Sequence, residues 1–313
     1  MTDKINILLA NPRGFCAGVV RAIQIVEEAL SQYGKPIYVR HEVVHNQYVI
    51  NDLKTKGAIF IEDLKDVPKG AHVIFSAHGI SKVIREEAES RELIPIDATC
   101  PLVTKVHVEV NKMLNQGMDI IMIGHQGHPE VEGTMGQIEK YHTNRKMFLI
   151  ETIEDIKYLT VDHADNMAYV TQTTLSIDDT KAMIEALKTK YPNIQGPKSD
   201  DICYATQNRQ DAVKEMTSLC DLIIVVGSKN SSNSNRLKEL ALREGAEAYL
   251  IDHEDALQSS WLINKKNIGI SAGASAPEIS VTNIINKIEV LTKATITELP
   301  GVEEDIIFKL PKI

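Results

Sequence analysis

Three cysteines at equivalent places in three similar segments constrain this chain most. Cys16 stands in NPRGFCAGV, Cys100 in DATCPLVTKV and Cys203 in DDICYATQNR. Each one directly precedes a segment whose apolar residues have helical spacing. A pattern that recurs at a nearly fixed interval indicates repeated structural units. We therefore predict three related units, each with a cysteine at a helix N-terminus.

Two further polar loops recur in each predicted unit, and each follows an apolar strand. The first of these loops contains, in the three units, His45, His128 and Ser231, and the second contains His78, Thr173 and Ser275. In open parallel α/β sheets, ligands bind beyond the carboxyl ends of the strands. We therefore expect the three thiols and the six loops to form one shared site.

The alternation of strands and helices predicts an α/β fold. We expect three related small α/β units with mostly parallel sheets, arranged around a pseudo-threefold axis in a trefoil-like form. The units are placed at residues 1–99, 100–199 and 200–287, followed by a polar C-terminal tail at 288–313. In this prediction the strand at residues 5–10 opens the first unit.

Charge and cysteine content limit the classes of partner. The net charge is −9 and the basic residues are scattered, which argues against nucleic acid. No apolar run is long enough to span a bilayer, and the first residues lead directly into a strand without a signal-peptide pattern, so we expect a cytoplasmic protein with no membrane partner. In that reducing compartment, four cysteines favour metal binding or catalysis over disulfides. Cys220, just before an apolar strand, is predicted to be a core residue.

A cysteine at a helix N-terminus is biased towards the thiolate, the form that binds metal. Three thiolates in equivalent units are suited to a [4Fe–4S] cluster, which usually takes four cysteines, so that one iron would remain open to substrate. Catalytic zinc with three protein ligands and a water is an alternative, although these cysteines do not form the close pairs usual for zinc. Unrelated buried thiols are the third interpretation.

The polar loops contain groups that bind anions and move protons. Ser231, Ser232 and Asn233 lie between a strand and a helix and resemble an anion cradle, but an ordinary capped turn has the same composition. Glu130 is the carboxylate of these loops. Beside a cluster and a phosphate its pKa would be raised, which suits a proton donor near neutral pH; a solvent-facing glutamate in a first helical turn is the alternative. The role of His125 stays open.

Eight motifs in order along the chain carry a family resemblance. They are NPRGFCAGV, EVVHN, SAHG, DATCPLV, GHQGHPEVEGT, TQTTLS, SSNSNRL and AGASAP. Together they resemble the 4-hydroxy-3-methylbut-2-enyl diphosphate reductase family over nearly the whole chain. The resemblance implies a three-lobed α/β fold around a central [4Fe–4S] cluster, in agreement with the repeat argument.

The resemblance also implies a role for each site residue. The cluster ligands would be Cys16, Cys100 and Cys203. The substrate diphosphate would be held by His45, His78, His128, Ser231, Ser232, Asn233 and Ser275. Glu130 would relay protons, and Thr173 would orient the substrate hydroxyl. Cys220 matches no ligand of the family.

The implied reaction is reductive dehydroxylation of (E)-4-hydroxy-3-methylbut-2-enyl diphosphate to isopentenyl diphosphate and dimethylallyl diphosphate, in the methylerythritol phosphate pathway. The substrate hydroxyl would bind the open iron, two electrons would pass through the cluster from a donor such as ferredoxin or flavodoxin, and protons would come through Glu130. Two other classes of protein stay open. One is an iron–sulfur sensor that binds a phosphorylated metabolite without converting it, and the other is a structural zinc protein.

Overall fold

In a computed structural model, the chain is described at residues 4–138 and 145–312, where strands and helices alternate. In chain order, the strands are β1 (Lys4–Leu9), β2 (Ile37–Arg40), β3 (Ala58–Ile61), β4 (His72–Phe75), β5 (Ile94–Asp97), β6 (Asp119–Ile123), β7 (Met147–Ile150), β8 (Met167–Thr171), β9 (Leu222–Val226), β10 (Glu247–Ile251), β11 (Asn267–Ala272) and β12 (Lys293–Glu298). The helices are α1 (Ala17–Tyr33), α2 (Gln47–Lys56), α3 (Lys82–Ser90), α4 (Pro101–Asn115), α5 (Pro129–Met135), α6 (Ile153–Tyr158), α7 (Ile177–Lys190), α8 (Tyr204–Thr217), α9 (Ser232–Arg243) and α10 (Glu278–Leu291).

These strands form three separate sheets. The five-stranded sheet has the order β10-β9-β11-β1-β12, the four-stranded sheet β3-β2-β4-β5, and the three-stranded sheet β7-β6-β8. Neighbouring strands are parallel throughout. The predicted fold class, with three small α/β units built on mostly parallel sheets, is thereby confirmed.

The two ends of the chain pair differently from the prediction. Strand β1, which we expected in the first unit, lies between β11 and β12 in the five-stranded sheet. Strand β12 occupies part of the predicted polar tail, where Lys293 pairs with Lys4 and Glu298 with Leu9. Residues 1–99 therefore do not share one sheet. The physical reason is that sheet membership is fixed by pairing across more than 250 residues, which local sequence patterns do not encode.

The chain divides into two compact bodies. Body 1 comprises the described residues of Met1–Val20, Val44–Asp52 and Tyr204–Ile307, and contains the five-stranded sheet. Its core covers both faces of that sheet, because alternate residues of β9 pack into different clusters: Leu222, Ile224 and Val226 into one, Ile223 and Val225 into the other.

Body 2 comprises the described residues of Arg21–Val43, Leu53–Cys203 and Phe308–Ile313, and contains the other two sheets. Strand β6 is buried along its whole length. Its residues Ile121 and Ile123 pack into one apolar cluster, and Ile120 and Met122 into another. Such continuous apolar strands are typical of parallel sheets covered by helices on both faces.

Two helix starts have residues typical of N-termini. Cys100 is the N-cap of α4, with Pro101 in the first helical position. Ser176 caps α7 by accepting a hydrogen bond from the backbone of Asp179. Of the helices in the described ranges, none has both the length and the apolar composition needed to cross a membrane.

Candidate active site

In body 1, the loop that carries Cys16 is tied to the loop after β11. The N–H of Cys16 donates to the carbonyl of Ala274 at 3.1 Å. The N–H of Ala274 donates in turn to Oδ1 of Asn233, in the first turn of α9, at 2.9 Å. Strands β1 and β9 both pair in parallel with β11, so the loops that follow them leave the sheet at the same edge. Ala274 thus connects the Cys16 loop with Asn233.

The same edge holds the other predicted residues of body 1. Ser275 Oγ donates to the carbonyl of His45 at 2.9 Å. Ser231 is the N-cap of α9, and its Oγ accepts from the N–H of Ser234 at 3.3 Å. Body 1 thus brings together six predicted site residues: Cys16, His45, Ser231, Ser232, Asn233 and Ser275.

Ser234 packs against the loops that hold these residues, although the sequence did not indicate it as a site residue. It is fully buried, and its Oγ donates to Ser231 Oγ at 3.1 Å. A Cβ on Gly227 or Gly273 would lie 2.2 Å or 2.0 Å from the Ser234 Oγ, so only glycine allows these two loops to approach it. Ser234 lies in a run of serine and asparagine, and nothing in that run separates a supporting serine from a ligand-binding one.

In body 2, His128 and His78 lie side by side. His128 is the N-cap of α5, and its Nδ1 accepts a hydrogen bond from the N–H of Glu130 at 3.1 Å. A ring nitrogen that accepts carries no proton, so this hydrogen bond assigns the proton of the neutral ring to Nε2. The ring of His78 lies edge-on, with 5.7 Å between the ring centroids. An Nε2–H group is a donor suited to a phosphate oxygen.

Glu130 and Thr173 form the most closely bonded pair of the site. Oε1 of Glu130 accepts from the N–H of Thr173 at 2.6 Å, and Oε2 accepts from Thr173 Oγ1 at 2.9 Å. Glu130 is only 3% exposed. Burial raises the pKa of its carboxyl to about 7; the two hydrogen bonds from Thr173 oppose this rise, and the charge of Asp201 adds to it. A carboxyl with this pKa exchanges protons at neutral pH.

The other two predicted cysteine ligands are held by strand-end loops of body 2. The N–H of Cys203 donates to the carbonyl of Thr173, beyond β8, at 3.0 Å. The N–H of Cys100 donates to the carbonyl of Ala77, beyond β4, at 3.0 Å. Cys203 directly precedes α8, as Cys100 directly precedes α4. Body 2 thus holds the remaining predicted residues: His78, Cys100, His128, Glu130, Thr173 and Cys203.

The donor chemistry of the three cysteines fits an iron–sulfur cluster. Cys16, Cys100 and Cys203 each stand directly before a helix, and none of the cysteines, all of which lie in the described residues, forms a disulfide. Burial raises the pKa of the Cys16 thiol, while the N–H groups of Gly18 and Val19 and the charge of Arg209 favour the thiolate. Across residues 4–138 and 145–312, no three His, Cys, Asp or Glu side chains are grouped to hold a single metal ion. That finding concerns one ion, whereas the thiolates of a four-iron cluster bind separate irons.

Asp201 is a buried carboxylate that the sequence analysis did not select. Its Oδ2 accepts from the N–H of Thr171 at 3.0 Å, and Lys105 Nζ lies 3.3 Å from its Oδ1. Burial raises the pKa of Asp201 to about 6, and Glu109 adds to the rise. In the sequence, an aspartate just before a helix has the pattern of an ordinary exposed first-turn residue, so no signal distinguished it.

Cys220, the predicted core residue, and His125, whose role stays open, lie as follows. Cys220 lies just before β9, at the amino end of the strands, and packs against the apolar cluster of body 1. Burial raises the pKa of its thiol to about 12. His125 follows β6 in body 2, with its Nδ1 3.5 Å from a carboxylate oxygen of Glu151.

Comparison with known proteins gives a consistent set of matches. A family model described as LytB protein matches residues 7–289. A 4-hydroxy-3-methylbut-2-enyl diphosphate reductase of Nitrosomonas europaea is 61% identical over 314 residues, covering 98% of this chain and 97% of its own. The reductase of the same name from Dechloromonas aromatica is 59% identical over 308 residues, covering 98% and 99%.

Among solved structures, the E-1-hydroxy-2-methyl-but-2-enyl-4-diphosphate reductase from Plasmodium falciparum superimposes with a TM-score of 0.94. Its sequence identity to this chain is 42%, and the match covers 99% of this chain and 96% of the other. The three relatives therefore match this chain over nearly its full length and over nearly the full length of their own chains.

Proposed function

Because this chain belongs to the LytB protein family, we propose that it is an oxidoreductase that catalyses the reduction for which its relatives are named. The substrate would be (E)-4-hydroxy-3-methylbut-2-enyl diphosphate. The carbon–oxygen bond to its hydroxyl breaks, two electrons and two protons are taken up, and water leaves with isopentenyl or dimethylallyl diphosphate. The observation that carries this proposal is the buried Glu130–Thr173 pair, a proton-exchanging carboxyl bonded to a hydroxyl.

Three cysteines are proposed to hold a [4Fe–4S] cluster: Cys16, Cys100 and Cys203. When bound, such a cluster supplies single electrons and a Lewis-acidic iron for the substrate hydroxyl. The support is their equivalent placement, each before a helix and each with its N–H bonded to the carbonyl of a neighbouring loop. Helix N-termini favour the thiolates that a cluster requires.

The diphosphate is proposed to bind the polar side chains at the strand ends. In body 2 these are His78 and His128, with the Nε2–H donor of His128 set by the bond that Nδ1 accepts from Glu130. In body 1 they are His45, Ser231, Ser232, Asn233 and Ser275. The N-terminus of α9 adds backbone N–H donors and the positive end of a helix dipole, both of which favour an anion.

Glu130 is proposed to supply the protons. With a pKa of about 7, its carboxyl is protonated in a large fraction of molecules at neutral pH. Thr173 Oγ1 donates to Oε2 of Glu130 at 2.9 Å, and the same threonine oxygen would accept a hydrogen bond from the substrate hydroxyl. The electron donor, ferredoxin or flavodoxin, and the cytoplasmic location remain predictions from the sequence and the family resemblance.

An anoxic turnover assay with chemically reduced donor tests this function. Glu130→Gln preserves the shape of the site, because an amide oxygen accepts from the N–H of Thr173 and an amide N–H₂ donates to its hydroxyl. We expect at least about 100-fold slower product formation, the usual contribution of a general acid, with unchanged iron content and substrate affinity. Glu132→Gln, an exposed glutamate of the same helix, is the matched control. A Glu130→Gln rate within a factor of about two of wild type would remove Glu130 from the reaction.

A Mössbauer spectrum of iron-enriched protein tests the three-cysteine ligation separately. With the hydroxylated diphosphate added, one iron site of four is expected to change while the others stay as they were. A cluster that ignores the ligand would support a sensor instead. No iron signal after anoxic reconstitution would reject the cluster.

A further inference from the structure

The most deeply buried charged side chain of body 1 is Arg209, which contacts the loop that leads to Cys16. Arg209, on α8, is 0% exposed and is among the largest fully buried side chains of the described residues. A buried guanidinium is costly unless all its donors are satisfied and a counter-charge is present. The hydrogen-bond partners of Arg209 therefore indicate its structural role.

The guanidinium holds the backbone that leads into Cys16. Nε and Nη2 of Arg209 both donate to the carbonyl of Gly14, at 3.0 Å and 2.8 Å. Nη1 donates to the carbonyl of Ala205, one turn earlier on α8, at 2.9 Å. Gly14 has φ of +69°, a left-handed conformation with no regular secondary structure to maintain it. The Arg209 fork therefore fixes the loop two residues before the cysteine.

The negative charge that balances Arg209 is the carboxylate of Glu304, which lies in residues 299–304, called here the C-terminal segment. Glu304 accepts from Nη1 of Arg209 at 2.9 Å and from Nη2 at 3.1 Å, a bidentate pair. Asn208 Nδ2 donates to the same carboxylate at 2.9 Å. Glu304 is only 14% exposed, so this pair is poorly screened by solvent.

The segment that carries Glu304 is itself packed against the loop. The N–H of Leu299 donates to the carbonyl of Leu9 at 2.9 Å. A Cβ on Gly301 would lie 1.8 Å from the carbonyl oxygen of Asn11, so the two backbones are in direct contact there. Residues predicted as a polar tail thus lie along the loop that runs from β1 to Cys16.

We propose that Arg209 and Glu304 are positioning residues for the cluster ligand Cys16, and that the C-terminal segment is thereby part of the metal site's support. The inference rests on the proposed cluster function. Neither residue is proposed to touch substrate. Their effect is to hold the Gly14 carbonyl, and with it the Cys16 thiol, in one position.

Glu304→Gln and Arg209→Lys separate positioning from simple charge. The glutamine keeps one acceptor for Nη1 but faces Nη2 with a donor. The lysine keeps the charge but has no planar fork to hold Gly14. If Arg209 and Glu304 position Cys16, each of these conservative substitutions should loosen the loop that contains Gly14 and Cys16. Glu247→Gln is the matched control, because Glu247 also pairs with a cation in body 1, Lys265, but at the amino end of the strands.

The test measures how fast chelator removes iron from the anoxic, cluster-loaded protein, followed by loss of the cluster's visible absorbance. We expect both variants to lose iron about 10- to 100-fold faster than wild type, the usual effect of disturbing the support of a metal ligand, and the control to match wild type. The melting temperature of the iron-free protein is recorded alongside. If the control loses iron as fast as the two variants do, the positioning role is rejected. A lowered melting temperature with iron loss at the wild-type rate also rejects it, because the pair would then stabilise the fold without holding the ligand.

Cys16→Ser distinguishes failure of this inference from failure of the proposed function. If Cys16→Ser loses iron rapidly while Arg209→Lys and Glu304→Gln behave as wild type, the cluster assignment holds and the positioning role is overturned. If Arg209→Lys alone behaves as wild type, charge rather than positioning is responsible, and the inference is also overturned. If Cys16→Ser retains iron as wild type does, Cys16 is not a ligand, and both proposals fall.

Discussion

Replacing Glu130 by glutamine is predicted to stabilise the protein, and more so as the pH rises. The folded-state pKa of Glu130 is raised from 4.5 to about 7 by burial. Between these values the unfolded chain gives up the proton while the folded protein keeps it, so the free energy of unfolding of the wild type falls as the pH rises. Glutamine resembles the protonated carboxyl at every pH, so the variant does not lose this part of its free energy of unfolding as the pH rises.

The size of the effect follows from the two pKa values. The advantage of Glu130→Gln in free energy of unfolding should grow from about 1 kcal/mol near pH 5 to about 3 kcal/mol near pH 8. It should level off above pH 7, where the folded carboxyl also ionises. Because Glu130 makes its hydrogen bonds to Thr173 in either form, little of the difference comes from lost contacts.

The measurement is hydrogen exchange of the metal-free protein, followed in peptides that cover α5 and β8. Two compact bodies need not unfold together, so local exchange reports the region around Glu130 better than a global transition does. Comparing variant with wild type at each pH cancels the intrinsic pH dependence of exchange. The exposed Glu132 provides the control substitution, Glu132→Gln. A Glu130→Gln advantage that stays flat or shrinks between pH 5 and pH 7 would refute the raised pKa.

Three further outcomes are expected. Cys220→Ser should leave the iron content unchanged by metal analysis, since its thiol packs at the opposite end of the strands; loss of iron would overturn the ligand assignment. Gly14→Ala should cost about 1 kcal/mol or more by thermal unfolding and speed iron loss, because of its φ of +69° and a Cβ only 3.1 Å from the Ala276 carbonyl oxygen; normal stability would show that the loop adapts. Thr173→Val removes a hydrogen bond that lowers the pKa of Glu130, so the basic limb of the pH–rate profile should move to higher pH, and a downward move would contradict the assignment.

The family and the fold class could be predicted because their signals are local. Eight motifs identified the family, and the matches over the whole chain confirm it. The prediction of a helix directly after each of Cys16, Cys100 and Cys203 is confirmed by the starts of α1, α4 and α8.

The missed elements lack such signals. Strand β5 contains Pro95, which argues against a strand, and it is tolerated because β5 is at the edge of its sheet. Strand β12, with the sequence KATITE, is largely exposed and polar, so no buried face marks it. The partners of β1 lie at the far end of the chain, and no local pattern indicates them.

For the candidate site too, local sequence indicated some residues, whereas others depend on contacts between distant parts of the chain. Residue type and spacing select polar residues on loops that look exposed, and body 1 and body 2 each bring their own set of them together. The chemical roles of these residues stay predictions. The supporting residues Ser234, Asp201 and Arg209 were missed, because burial decides their role and burial depends on tertiary packing. An arginine on a helix is usually exposed, and only the fold shows Arg209 to be covered.

The pairing of β1 with β12 sets the order in which the protein can assemble during synthesis. Body 2 draws most of its residues from one continuous stretch, Leu53–Cys203, and can begin to fold while the ribosome is still making the rest. Strand β1 emerges first, yet its partners are residues 267–270 and 293–298. Nascent chains therefore carry an unpaired apolar strand and an unsupported Cys16 loop until translation is nearly complete. Insertion of the proposed cluster, if it requires the finished loop, would have to wait until β12 has been made. A chain stalled before β12 would remain a target for chaperones and proteases.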